Sequence, residues 1–303
     1  MEESTSLKYQ TRLLFQSAAE RRGIPLSDRA IDELVEKVRY LSLTGKRRPS
    51  RFQMISSPGS FRPTNQLAAL LAERLRQLMT VSDAEPLFNL PVLLVKTFSV
   101  FTVPIEQSDI SGGCAIIGGM PMLFVSKMGD VDGLFRCAHQ IAHVLALSNQ
   151  ADTASLDASQ NELGRAKSPY EHFADNVALN LLVPTRGLGI ALRQTRKLLR
   201  ATGPLGDVEL LHVARIFGVS FLAVCKRCEQ AKLLPEGGAL ALNRFLKEKF
   251  GSAERRAEEL DLPPRLSASF SIASILAASH EVRETRSLEP AIGRQKHVHK
   301  DRY

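Results

Sequence analysis

The sequence lacks tryptophan altogether and contains only four tyrosines and four cysteines among its 303 residues. Because the few tyrosines are not interleaved with basic residues, the sequence disfavours an aromatic stacking platform for single-stranded nucleic acid. The cysteines (Cys114, Cys137, Cys225 and Cys228) are too few and too scattered for a disulfide framework. Cys225 and Cys228 form a C-x-x-C pair, but the second ligand pair of a structural zinc site is missing. We therefore predict reduced, partly buried thiols.

Long apolar runs are also missing. The most apolar stretch, residues 90–104, is interrupted by Lys96 and falls short of the roughly 18 residues that a membrane span requires. The first residues, Met1-Glu2-Glu3, are acidic and are not followed by the apolar segment of a secretory signal. We expect a cytoplasmic protein without a membrane partner.

Positive charge exceeds negative charge, which gives a formal net charge of +8 at pH 7. An excess of lysine and arginine permits contact with nucleic acid, but it serves solubility equally well. The charge therefore leaves DNA binding open without favouring it.

The chain is organised around residues 135–147, which read FRCAHQIAHVLAL. His139 and His143 are four residues apart, a spacing that places both imidazoles on one face of a helix, about one turn apart. This is the ligand spacing of the HExxH zinc peptidases, except that Gln140 stands where those enzymes have a glutamate base. Two histidines at this spacing can also be ordinary helix residues, so a third ligand decides between the interpretations.

Glu171, in the segment 169–184, is the best candidate for that third ligand. Apolar residues recur after it at helical spacing, which places Glu171 on or beside the buried stripe of a helix that Pro184 ends. Asp175, one turn later, is positioned to accept the ring N–H of a liganding histidine. A carboxylate at the head of a helix can alternatively compensate the helix dipole.

These two segments resemble the motifs of the ImmA/IrrE family of metallo-endopeptidases, which read HExxH and then E-x-x-A-N-x-x-A-x-x-L-L-x-P. The similarity covers roughly residues 65–235, including the strand Gly119–Ser126 and the segment Val213–Ser220. It implies a zincin-like peptidase core that binds Zn²⁺, with Mn²⁺ as an alternative. It also implies a protein substrate, a helix–turn–helix transcriptional repressor whose cleavage derepresses stress-response or mobile-element genes.

Two residues depart from the family pattern: Gln140 replaces the catalytic glutamate, and Asp175 replaces the usual asparagine. An amide can hydrogen-bond a metal-bound water, but it cannot accept and return the proton. Since general-base catalysis contributes about a hundred- to ten-thousandfold, we expect metal binding with very slow or absent peptide cleavage. His172 is close enough in sequence to be considered as an oxyanion stabiliser, although its helical phase does not match that of Glu171.

Two origins of Gln140 fit the sequence: a natural pseudopeptidase, or a deliberate Glu-to-Gln replacement that traps the substrate. A second class of function also stays open, namely a non-catalytic regulator that binds DNA or a partner protein.

The predicted fold is α+β and mostly helical, with a zincin-like core, a small antiparallel sheet, a helix–turn–helix-like segment and extra helices. Four regions are expected: an N-terminal helical extension and basic linker (1–63), the peptidase domain (64–200), the helix–turn–helix-like segment (201–238), and a C-terminal helical region with a basic tail (239–303). The extensions could recognise the partner, mediate homo-oligomerisation or sense an activating signal.

Within the peptidase region, an amphipathic helix is predicted from Asn65, with Leu70 on its apolar face. Two strands, Ala115–Ile117 and Met122–Val125, are predicted to form a hairpin at Gly118-Gly119. An edge strand of this sheet could bind an extended substrate by strand addition. Residues 148–168 are polar and aperiodic and are interpreted as a loop.

Helical patterns also mark the ends of the chain. Ser27 can cap an N-terminal helix with an apolar stripe between Ile31 and Leu41. Residues 239–260 are predicted to form one charged amphipathic helix, and the apolar patch Phe270–Leu276 is expected to dock on the body.

In the region 201–238, Ala214, Gly218 and Val224 have the spacing of two short helices that cross at a turn glycine. In a DNA-binding version the second helix would offer Lys226 and Arg227 to the major groove. We favour a packing module of the same shape, because this helix is not notably basic.

Overall fold

The computed structural model describes residues 2–44, 63–106, 110–126, 132–147, 152–158, 168–265 and 271–281, which form twelve helices and four strands. The helices are α1 (Glu2–Arg22), α2 (Asp28–Thr44), α3 (Asn65–Leu78), α4 (Leu90–Phe98), α5 (Gly133–Leu147), α6 (Pro169–Leu182), α7 (Thr185–Leu199), α8 (Asp207–Phe217), α9 (Phe221–Gln230), α10 (Gly238–Phe250), α11 (Ala253–Glu259) and α12 (Ile272–Glu281). The strands are β1 (Phe101–Ile105), β2 (Ile110–Ile117), β3 (Met120–Ser126) and β4 (Thr153–Ala158).

The four strands form one sheet in the order β1-β3-β2-β4. The β2–β3 hairpin turns at Gly118 and Gly119, whose φ values of 56° and 76° suit the tight turn that matches strand twist. The predicted hairpin is therefore confirmed, and so is the mostly helical α+β class. The sheet is mixed rather than purely antiparallel, because β3 lies between β2 and β1 and pairs in parallel with β1.

Strand β4 shows that the interpretation of residues 148–168 as a loop is wrong for residues 153–158. It pairs antiparallel with β2, and Asp157 lies opposite Gly112. Its apolar residues Ala154 and Leu156 are buried on one face of the sheet, so Asp157 faces the other way. Short polar side chains hid this alternation in the sequence.

The sheet separates two hydrophobic cores. Helices α3 and α5–α9 enclose one core with Leu123 and Val125 of β3. Helices α1, α2 and α12 enclose the other with Phe124, whose ring meets Phe15 of α1 edge to face at 5.3 Å between centroids. The terminal helices are thus packed on the face of the sheet opposite α5.

Several helical predictions outside the peptidase motifs are confirmed. Ser27 accepts a hydrogen bond from the backbone N–H of Ala30 at 3.2 Å, and the stripe from Ile31 to Leu41 is buried. Ile275 and Leu276 of α12 are buried against the body. The basic linker at 45–62, Phe270 and the basic tail at 282–303 lie outside the described residues.

Two helical predictions are wrong in detail. Leu70 is 55% exposed, because the small residues Ala68 and Ala72 occupy the buried face of α3 and allow close packing on α6. Residues 239–260 form two helices rather than one. Gly251, at φ 82°, ends α10, and Ser252 caps α11.

None of the described helices is by itself long and apolar enough to cross a membrane; α8 and α9 meet that criterion only as a pair, with a bend of 105°.

Candidate metal centre

Helices α5 and α6 bring three potential metal ligands together. The Nε2 atoms of His139 and His143 are 3.0 Å apart, and Glu171 Oε2 is 3.2 Å from the first and 3.7 Å from the second. Tetrahedral zinc with bonds of about 2.0–2.1 Å places its ligand atoms about 3.3 Å apart. The three side chains therefore fit a single metal ion, and their roles as ligands stay a prediction.

Local sequence explains how Glu171 reaches this point. Ser168 caps α6 by accepting a hydrogen bond from the backbone N–H of Glu171 at 3.2 Å, and Pro169 occupies the first helical turn, where its missing N–H costs nothing. The small buried residues Ala174 and Ala178 face the neighbouring helices. Tyr170 then joins α6 to α5 by donating its hydroxyl to the carbonyl of Ala142 at 2.8 Å.

Asp175 lies where the sequence predicted it. Its Oδ1 is 3.1 Å from Nδ1 of His139, so the ring N–H at Nδ1 donates to the carboxylate and Nε2 stays directed toward Glu171. Burial lowers the pKa of His139, but the hydrogen bonds to Asp175 and Glu171 outweigh it and raise this pKa to about 9. In the metal-free protein His139 is therefore a cation at neutral pH.

The pKa of the Glu171 carboxylate shifts in the opposite direction to that of His139. Burial raises its pKa, but hydrogen bonds to His139 and His143 hold the pKa far below its ordinary value. This carboxylate is ionised throughout the physiological range and is ready to bind a cation.

Gln140 is buried on α5, beside the same cluster. Its side-chain N–H donates to Oδ2 of Asp157, while its Oε1 is buried without a hydrogen-bond partner among the described residues. Gly112 of β2 permits this close packing, since a Cβ there would lie 2.9 Å from the carbonyl oxygen of Phe124 and 3.0 Å from Gln140 Nε2. The amide is thus held at the centre by strands β2 and β4.

Asp157 is one of two residues at this centre, with Arg22, that were not predicted from the sequence. Its Oδ2 lies 3.7 Å from Nε2 of His143 and 4.0 Å from Nε2 of His139. The apolar alternation of Ala154 and Leu156 could have predicted a strand that points Asp157 to the opposite face. Because residues 148–168 were interpreted as a loop, Asp157 was not predicted to lie on a strand.

Arg22, at the end of α1, also reaches the centre from outside the peptidase motifs. Its guanidinium lies 3.4 Å from Oε1 of Glu171 and 3.8 Å from Oδ1 of Asp157, and its side chain is 44% exposed. Arg21 beside it donates to the carbonyl of Ala154 on β4 at 3.1 Å. By contrast, His172 is exposed and does not belong to the cluster.

The two helices predicted in the region 201–238 are α8 and α9, which turn at Gly218 with φ 66°. Arg227 of α9 is buried; its Nε donates to the carbonyl of Val183 at 2.9 Å and its terminal N–H to Thr185 Oγ1 at 2.6 Å. The guanidinium of Arg227 joins α9 to the start of α7 and is not available to a DNA groove, which agrees with the packing module favoured from the sequence.

The four cysteines are buried free thiols. Burial raises the pKa of Cys228 to about 12, and that of Cys225 rises for the same main reason. These thiols are packing residues, which agrees with the sequence prediction.

Residues 97–229 match the family model Peptidase_M78, described as an IrrE N-terminal-like domain. No curated protein matches the chain. The matched region contains the whole sheet and both helices of the metal centre, whereas Arg22 lies outside it.

Proposed function

We propose that this chain is a zinc-binding protein of the ImmA/IrrE family of metallopeptidases, with very slow or absent peptide cleavage. The match of residues 97–229 to an IrrE N-terminal-like domain supports its membership of that family. It would bind a helix–turn–helix transcriptional repressor, the substrate class that the family resemblance implies.

The observation that carries the metal assignment is the convergence of His139, His143 and Glu171, whose donor atoms all lie within 4.8 Å of one another. Two imidazoles and a carboxylate form a donor set that suits zinc. A zinc ion bound by these residues would act as a Lewis acid toward a carbonyl and, where a position is left to water, would lower the pKa of that water to roughly 7. Asp175 supports the site by fixing the tautomer of His139.

The assignment of weak or absent turnover is supported by Gln140. Its side-chain amide donates a hydrogen bond to Asp157, but it cannot accept a proton during attack on a peptide bond and return that proton to the departing amine. Partner binding without cleavage is the function that remains for such a site.

The alternative of a DNA-binding regulator has weaker support. The net charge of +8 permits it, but the guanidinium of Arg227 is bonded inside the protein. A salt-sensitive shift of duplex DNA by the purified chain would favour this alternative.

The metal assignment is tested by measuring the zinc content of the purified chain, its His139→Ala variant and its His212→Ala variant. His212 is a half-buried histidine of α8 outside the cluster, so it controls for the loss of a histidine. One zinc per chain is expected in the parent and the control, with none in His139→Ala. Equal zinc in all three, or none in the parent, would contradict the assignment.

Turnover and partner binding are tested with the zinc-loaded parent. No cleavage of a peptide library above the level of the His139→Ala variant is expected, and cross-linking in cells should recover helix–turn–helix proteins. Efficient cleavage would refute the proposed lack of turnover, and the absence of such proteins would refute the proposed partner.

A further inference from the structure

We infer that Asp157 is a fourth protein ligand of the metal centre, occupying the position that a catalytic site leaves to water, and that Gln140 orients it. This inference rests on the proposed function, because it concerns the same metal site.

The position of Asp157 carries the first step. Its Oδ2 lies at similar distances, 3.7 and 4.0 Å, from the Nε2 atoms of His143 and His139. These distances are close to the 3.7 Å between Glu171 Oε2 and His143 Nε2. A carboxylate that reached a metal only through a bound water would lie one hydrogen bond farther out, about 2.7 Å beyond the water oxygen.

The two carboxylates are also arranged alike around Arg22. Each directs one oxygen at the imidazoles, Oε2 of Glu171 and Oδ2 of Asp157. Each directs its other oxygen at the guanidinium of Arg22, at 3.4 Å for Glu171 and 3.8 Å for Asp157. Asp157 on strand β4 therefore faces the metal centre in the same way as Glu171 on helix α6.

Gln140 is chemically matched to this carboxylate. An ionised aspartate only accepts hydrogen bonds, and the glutamine amide donates one to Oδ2, whose remaining lone pair stays free for a metal. A glutamate at residue 140 would place a second carboxylate at hydrogen-bond distance, where the two could not both ionise without cost. Gln140 thus acts here as a positioning residue for Asp157.

The consequence is a closed centre with four protein donors: His139, His143, Glu171 and Asp157. Structural zinc sites in proteins are closed in this way, whereas catalytic sites keep one position open. The absence of turnover would then have two independent causes, the missing base and the missing open position.

The experiment measures zinc affinity of the full chain by competition with a chromophoric chelator. The variants are Asp157→Asn, Asp157→Ala and, as a matched loss of one charge, Glu106→Gln at an exposed residue after β1. Loss of an outer-shell partner weakens metal binding by about 10–100-fold, so loss of a ligand is expected to exceed that range. Glu106→Gln should bind zinc like the parent. A loss of about 100-fold or less in both Asp157 variants is what an outer-shell partner would give, and it would overturn the inference.

A second readout does not depend on affinity. The cobalt(II)-loaded parent is titrated with acetohydroxamate, a small chelating anion that needs an open metal position. No change in the visible spectrum is expected for the parent, and a saturable change is expected for Asp157→Ala. Saturable binding by the parent would show an open site and overturn the inference.

Failure of the two proposals can be distinguished. If the parent binds no zinc, the proposed function fails. If it binds one zinc that Asp157→Asn leaves unaffected, only the fourth ligand is wrong. Circular dichroism of the metal-free variants establishes that they are folded, and Gln140→Ala, which keeps all four donors, should weaken zinc binding by about 10–100-fold.

Discussion

The hydrogen bond from Gln140 on α5 to Asp157 on β4 can be tested by exchanging its donor and its acceptor. The perturbation is a double-mutant cycle of Gln140→Glu, Asp157→Asn and the double variant. In the parent, the buried amide of Gln140 donates to a carboxylate that is mostly buried. In the double variant the asparagine amide can donate to the glutamate instead, so the hydrogen bond is kept with its direction reversed.

The expected magnitude follows from this hydrogen bond. A hydrogen bond to a charged group contributes about 1.5–3 kcal/mol, and Gln140→Glu replaces it with two adjacent carboxylates. We expect Gln140→Glu to lower the free energy of unfolding of the metal-free protein by about 2–4 kcal/mol. The double variant should recover most of that loss, with a coupling energy of about 1.5–3 kcal/mol.

The assay is urea unfolding at pH 7 in the presence of a chelator, followed by circular dichroism. A coupling energy below about 0.5 kcal/mol, the usual additivity error, would refute the pairing of Gln140 with Asp157. A proteomic comparison extends the test to function. A protein fragment is expected only in cells that express the double variant, and a fragment already formed with Gln140→Glu would show that Asp157 does not block the site.

Three further predictions concern the surroundings of the centre. First, protonated His139 stabilises the metal-free fold below its unfolded pKa of 6.5, and this stability is lost as pH rises through about 9. Urea unfolding at pH 6.5 and 9.5 should show a lower free energy of unfolding at the higher pH, and a His139→Asn variant should not show this decrease. Second, Gly112→Ala should lower the free energy of unfolding by about 1–3 kcal/mol through overpacking and should weaken zinc binding, because the new Cβ would meet the Phe124 carbonyl oxygen and Gln140. An unchanged free energy of unfolding and an unchanged zinc affinity would contradict this. Third, Arg76→Met should destabilise the fold by about 3 kcal/mol, because the guanidinium donates to three backbone carbonyls, including that of Leu181 at 2.7 Å. A free energy of unfolding in urea within about 0.5 kcal/mol of the parent's would contradict this.

Local patterns made much of the fold predictable. The apolar stripe of α2, the cap at Ser27 and the paired glycines of the β2–β3 turn depend on residues within a few positions of one another. Predictions failed where a distant contact decided the outcome. The exposure of Leu70 depends on how closely α6 approaches α3, and the burial of Arg227 depends on carbonyl and hydroxyl groups about 40 residues away.

The sequence by itself determined the placement of His139 and His143 on one helical face and of Glu171 and Asp175 on another, because helical periodicity and motif spacing are local properties. Only the tertiary structure added Asp157 and Arg22 to the centre. Strand β4 reaches the site by pairing with β2, and helix α1 reaches it by packing on β4. These contacts join residues that are far apart in the chain, so the periodicity of a single segment does not predict them.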